Sequence, residues 1–141
     1  SVQLGNWLYD LQVENQNEQS KIPATELKDQ YLKVTLSLSN TKTKQSLLYS
    51  ASKDGADYEA KYKYLSFGSG EDIYIKYKDE YIYPLGYVFE PSNGLSRSDR
   101  LVYKFCVKED LFQQMSGDDD AVEYWYIDRM LGLGKICFKQ Q

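Results

Sequence analysis

The nearest the sequence comes to a catalytic constellation is in its carboxylates, at Asp79-Glu80 and in the run Asp118-Asp119-Asp120. A glycosidase needs two such groups, one to protonate the leaving oxygen and one to act as base or nucleophile. Calcium needs several carboxylate oxygens converging on one point. Both stretches fall where turns are expected, and solvated acidic residues are common there. Gly132-Leu133-Gly134-Lys135 lacks the spacing and the Ser or Thr of a phosphate-binding loop, and it leads into a strand rather than a helix. Histidine is absent from the chain. Without it there are no Ser-His-Asp or Cys-His pairs, no imidazole proton transfer and no His metal ligands. No catalytic residue, metal ligand or cofactor is expected, and the chain reads as a non-enzyme.

The two cysteines share a local pattern. Cys106 lies between Lys104 and Lys108, and Cys137 between Lys135 and Lys139, each on the face of its strand opposite the apolar residues. If those strands are neighbours, a Cys106–Cys137 disulfide closing about 30 residues would stabilise the fold by roughly 3–4 kcal/mol and imply an oxidising compartment. If they are not, both are free thiols. The spacing excludes a Cys-x-x-Cys redox or zinc site.

Binding chemistry is better represented. Tyrosine occurs 14 times, and Tyr74, Tyr77, Tyr81, Tyr83 and Tyr87 crowd into one stretch around Pro84. An exposed row of such rings stacks on sugars or anchors a protein partner, because each has an apolar body and a polar end. Tyr124-Trp125-Tyr126, beside the acidic run, is a second aromatic patch. The candidate binding surface is therefore Tyr74, Tyr77, Tyr81, Tyr83, Tyr87 and Trp125. Ordinary strand propensity and half-buried packing account for many tyrosines in any β protein, and are weighed against it.

These residues must be held by strands. Trp7, Tyr9, Leu11 and Val13 alternate with their neighbours, and Leu32, Val34, Leu36 and Leu38 alternate with Lys33, Thr35 and Ser37, which is the pattern of a half-buried antiparallel strand. Further strands are expected over 46–52, 58–67, 73–77, 81–89, 101–108 and 134–139, and over 121–131, where the strand composition of Tyr124-Trp125-Tyr126-Ile127 is set against a helix capping box at Asp120 and Glu123. Residues 58–67 and 73–77 would form a hairpin through Gly68-Ser69-Gly70. Residues 14–30 read as a long loop with one helical turn at 26–30, and 109–115 as a short helix. Pro84 would leave a ladder hydrogen bond unmade, so its segment belongs at an edge or bulge. Short strands with turn signals between them, and no alternation with helices, indicate an antiparallel sandwich or barrel.

A chain of 141 residues, 42% hydrophobic and 27% charged, is the size and balance of a single globular domain, taken as residues 1–141. The net charge is −4, with 3 arginines and lysines scattered along the chain. Nucleic acid, which needs clustered cations, is excluded as a partner. No apolar run is long enough to span a bilayer. Because the chain opens at Ser1 rather than Met, a segment upstream of residue 1 is expected to have been removed, either a secretory or lipoprotein signal cut by a peptidase or a stretch trimmed otherwise.

Three stretches carry a family likeness: Tyr31 to Asn40, the Tyr-Lys-Asp-Glu-Tyr turn within Tyr74 to Pro84, and Leu95 to Val107. Together they resemble exported bacterial immunoglobulin-like lipoproteins of the DUF4352 and telomeric-repeat-binding-factor-like type. That family's pattern is a strand ending in Asn, an Asp-Gly-x-x-Tyr turn, and a Leu-x-Pro-Gly turn ahead of a strand ending Phe-x-Val-Pro. Here Asp79-Glu80 stands for Asp-Gly, Ser98-Asp99 for Pro-Gly, and Lys108 for the last Pro. The resemblance implies an all-β, immunoglobulin-like antiparallel β-sandwich of about eight strands, with at most a short helix near 109–115. It also implies a noncatalytic binding or assembly domain of the cell envelope, periplasmic or surface-exposed, that acts through protein contacts. A carbohydrate-binding domain using a Tyr/Trp platform is the alternative.

Overall fold

Alternation at period two decides which segments become strands, and pairing decides which of their faces is buried. The computed structural model describes residues 1–16, 29–43, 47–92 and 98–139. Along the chain come β1 (Val2–Leu4), β2 (Trp7–Asn15), β3 (Asp29–Asn40), α1 (Leu47–Ala51), α2 (Gly55–Phe67), β4 (Ile73–Tyr77), β5 (Glu80–Ile82) and β6 (Gly86–Glu90). They are followed by β7 (Asp99–Lys108), α3 (Glu109–Ser116), a 3-10 turn at Asp119–Ala121, β8 (Val122–Asp128) and β9 (Gly134–Lys139). The strands form two antiparallel sheets, a five-stranded one in the order β1-β2-β3-β7-β6 and a four-stranded one in the order β5-β4-β8-β9. The result is an all-β sandwich with a few short helices.

The centre of the larger sheet is β3. Leu32, Val34, Leu36 and Leu38 are buried, and Lys33, Thr35 and Ser37 lie half-buried on the outer face, as the alternation requires. Leu36 sits opposite Leu11 of β2 and Leu101 of β7, and Val34 opposite Val13 and Tyr103. The smaller sheet supplies Ile73, Ile75, Tyr124, Tyr126, Ile136 and Phe138 to the same core. Tyr9 and Tyr126 meet across the two layers with ring centroids 6.1 Å apart.

Two expected strands are helices. Residues 58–67 lie in α2, and Leu47–Ala51 of the stretch 46–52 form α1, with residue 46 outside the described residues. In α2, the Lys53-Asp54-Gly55 turn signal is a helix cap: Asp54 accepts the Asp57 amide at 2.8 Å, Asp57 accepts the Lys53 amide at 2.9 Å, and Lys61 pairs with Asp57 at 2.7 Å. This reciprocal cap and the i,i+4 ion pair outweigh the strand propensity of three tyrosines, Tyr58, Tyr62 and Tyr64. The helix ends at Gly68, whose amide bonds the Tyr64 carbonyl at 2.6 Å; a Cβ there would lie 2.8 Å from the Tyr64 ring. The cap of α1 comes from far along the chain, where buried Asp99 accepts the Leu48 amide at 2.9 Å.

The stretch 81–89 is two strands rather than one. β5 lies at the edge of the smaller sheet and β6 at the edge of the larger, with Pro84 in the crossover between them, and Leu85 then bonds the Lys104 carbonyl at 2.7 Å. Pro84 therefore lies between two strands rather than within an edge strand, so its missing amide takes no ladder bond away from either sheet. Residues 121–131 yield β8, 134–139 yield β9, and 109–115 fall in α3. Of the helical turn expected at 26–30, residues 26–28 lie outside the described residues, while Asp29 and Gln30 open β3.

Replacing Leu36 by Ala removes a fully buried side chain between two ladders and should cost about 2–5 kcal/mol, whereas Ser37→Ala on the outer face should change stability by about 0.5 kcal/mol or less. Urea unfolding of the two variants checks the register; equal effects would refute it.

Candidate functional site

The outer face of the smaller sheet gathers most of the candidate rings. In β4, Ile73, Ile75 and Tyr77 alternate into the core, which leaves Tyr74 and Lys76 on the outer side. In β8, Val122, Tyr124 and Tyr126 point inward, and Glu123 and Trp125 outward. Register then sets Tyr74 opposite Trp125, Lys76 opposite both Glu123 and Tyr81, and Cys137 opposite Trp125.

Tyr74 and Trp125 lie nearly parallel, at 17°, with centroids 6.5 Å apart. Tyr81 and Tyr83 each approach Tyr74 at 5.7 Å, tilted by 51° and 44°. Enclosed by these three rings, Tyr74 is only 9% exposed, whereas Tyr81 is 51% and Tyr83 55% exposed. Burial, then the neighbouring Tyr81 and Tyr83, push the Tyr74 phenol above its ordinary pKa. The Lys76 ammonium lies 5.6 Å from the Tyr81 ring centre, and Trp125 Nε1 donates to Glu123 Oε1 at 3.4 Å. Two exposed rings are thus held on a buried ring and a half-buried indole, so little side-chain freedom is left to lose on binding.

Tyr77 and Tyr87 do not join this face. Tyr77 is 3% exposed in the core, and its hydroxyl donates to the Gln114 carbonyl and to Asp118 Oδ2, both at 3.3 Å. Its place follows from parity, since Tyr74 and Tyr77 are three residues apart on one strand and must point to opposite faces. Tyr87 belongs to the larger sheet, where its ring stacks on Tyr103 at 5.3 Å; its hydroxyl donates to the Leu65 carbonyl at 2.7 Å and accepts from the Ser69 amide at 3.0 Å. It anchors α2 to β6.

The disulfide is not formed. Cys106 and Cys137 are free thiols, because β7 and β9 belong to different sheets and each cysteine sits on its own sheet's outer face, with the core between them. Burial, then the Glu123 carboxylate, push the Cys137 thiol up.

The polar cluster that sequence reasoning missed is buried. Asp72 accepts from the Tyr64 hydroxyl, from Ser69 Oγ at 3.1 Å and from Arg129 Nε at 3.0 Å, and its main-chain carbonyl accepts from the Ile127 amide at 2.7 Å. Tyr103 bonds Ser69 from the opposite sheet at 3.1 Å. Asp128 receives the Leu131 and Leu133 amides at 3.4 and 3.2 Å and closes the β8–β9 turn. Both carboxylates are engaged in structural hydrogen bonds. Of the acidic runs, Asp118 lies against Tyr77 and 4.0 Å from Lys78. Among the described residues no cluster of three or more Cys, Asp or Glu is arranged to hold a metal.

Core phenols are pushed up by burial, with nearby carboxylates adding to it: Tyr124 to about 12, beside Asp119, and Tyr9, Tyr64, Tyr103 and Tyr126 further. Unfolded tyrosine ionises near pH 10, so the stability these protonated phenols contribute is complete below about pH 10 and is lost as pH rises through the folded values. In an alkaline titration their tyrosinate absorbance should appear together with loss of near-ultraviolet circular dichroism; ionisation of all five in a still-folded chain would contradict their placement.

Comparison of the chain with protein-family models, with curated proteins and with solved structures finds no match.

Proposed function

We propose that this domain is a noncatalytic binding module that engages a protein partner through Tyr81 and Tyr83, backed by Tyr74 and Trp125. The observation that carries this reading is the pairing of two half-exposed rings with a buried aromatic base on one sheet face. Rigid aromatic anchors of this kind dominate the energetics of protein interfaces. Protein is favoured over glycan because a sugar platform needs exposed coplanar rings. Here the rings that lie near-parallel, Tyr74 and Trp125, are largely covered, with Tyr74 only 9% exposed beside Tyr81 and Tyr83. The alternative, a carbohydrate-binding domain, rests on that parallel pair alone. An envelope location, with a lipid anchor, rests on the family resemblance alone, since the free thiols lend it no support.

Alanine at Tyr81 and at Tyr83, singly and together, tests the reading. Each removes surface rings and should shift stability by about 1 kcal/mol or less, while affinity for a partner captured from an envelope extract falls by a factor of about 30, the scale of an interface hot spot. Undiminished capture by the folded double variant would refute the site. Competition by soluble oligosaccharides, with quenching of Trp125 fluorescence in a Trp7→Phe background, would replace the protein reading with the glycan one.

A further inference from the structure

Among the described residues the two sheets have five and four strands, and the smaller ends at β9. On that side β1 covers β2 only from Trp7 to Tyr9. Leu11 and Val13 follow Tyr9 at two-residue steps toward the interior, yet they are only half-buried, and among the described residues no strand faces them. With Val2, Tyr124 and Phe138 they line a cleft of about 470 Å³, and a second of about 250 Å³ continues past Val13 and Tyr124 toward Met115 of α3. The strand bordering this opening is β9, which pairs only with β8 among the described residues. Among the described residues its outer edge is unpaired and presents a row of main-chain donors and acceptors beside a cleft whose lining includes the apolar side chains of Leu11, Val13 and Phe138.

Charge decides what can fill the gap. Along β9, Ile136 and Phe138 are buried, whereas Lys135 and Lys139 are exposed on the outer side with Cys137 between them. An added strand places its alternate side chains directly beside these positions, where opposite charges stabilise and like charges destabilise. A second copy pairing antiparallel about Cys137 would set Lys135 against Lys139 twice, so the lysines guard the edge against self-association.

We propose that the edge of β9 accepts a strand from a protein partner, an extended segment whose apolar side chains fill the cleft at Leu11, Val13 and Phe138 and whose acidic side chains face Lys135 and Lys139. Main-chain hydrogen bonds would supply affinity, and the alternating pockets and charges specificity. This surface is separate from Tyr81 and Tyr83, which lie at the β5 side of the smaller sheet, and it needs nothing from them.

The probe is an acetylated, amidated heptapeptide, Thr-Glu-Val-Thr-Val-Glu-Thr, whose glutamates match the spacing of Lys135 and Lys139 in either direction. With the whole chain and saturating peptide, amide hydrogen exchange measured by NMR should slow along β9 by about tenfold or more. The Lys135→Glu/Lys139→Glu double variant should bind it about tenfold more weakly and prefer the same peptide with lysines in place of glutamates. Val13→Thr, which keeps the volume and makes the cleft more polar, should also weaken binding, and Tyr81→Ala should leave it unchanged. Protection away from β9, indifference to the charge exchange, or loss of binding in Tyr81→Ala would each overturn the proposal. So would absence of binding at saturation, or a dimer in sedimentation that the double variant alters, which would make the occupant a second copy.

Discussion

A single buried carboxylate holds the two sheets in register. Asp72 is almost completely removed from water, and a charge so placed is tolerated only where hydrogen bonds and an opposite charge replace its hydration. Tyr64 from α2, Ser69 from the connecting turn and Arg129 from beyond β8 do so, and Ser69 carries the network on to Tyr103 of the larger sheet. Removing one partner would leave the others buried and unmatched, a larger penalty than the gain from any one bond. The arrangement therefore fixes where the chain crosses from one sheet to the other. Ile73 begins β4 immediately afterwards, so the position of Asp72 also decides that Tyr74 and Lys76 face outward.

Tyrosine serves two purposes here, and the polar end of the side chain separates them. Tyr77, Tyr87 and Tyr103 each bury a ring and give the hydroxyl a partner on another element, so a core residue also works as a tie between elements. Tyr9 likewise buries its ring, against Tyr126, and sets its hydroxyl beside the Asp128 carboxylate. Tyr81 and Tyr83 instead leave their hydroxyls to water and lean their rings on Tyr74. The exposed aromatic surface is thus an extension of the packed sheet.

Local pattern alone determined a good part of the fold. The alternation in β2, β3 and β7, the strand composition of β8 and β9, and the short helix at 109–115 each express a preference satisfied within a few residues. Likewise the absence of histidine and of clustered cations follows from the amino-acid list. Tertiary structure decided the rest. α1 depends on Asp99, 51 residues from the Leu48 amide that it caps, and no window of neighbouring residues contains that bond. For α2 the cap was present in the sequence at Asp54 and Asp57, but it competes with a tyrosine-rich composition that also suits a strand. The face of each tyrosine followed from strand parity once β5 and β6 were seen to belong to different sheets, and parity alone already separates Tyr74 from Tyr77. Which sheet β7 and β9 join is a matter of long-range pairing, and that pairing puts Cys106 and Cys137 on opposite outer surfaces. Periodicity reports which side of a strand is apolar, while only the pairing of distant strands reports what that side meets.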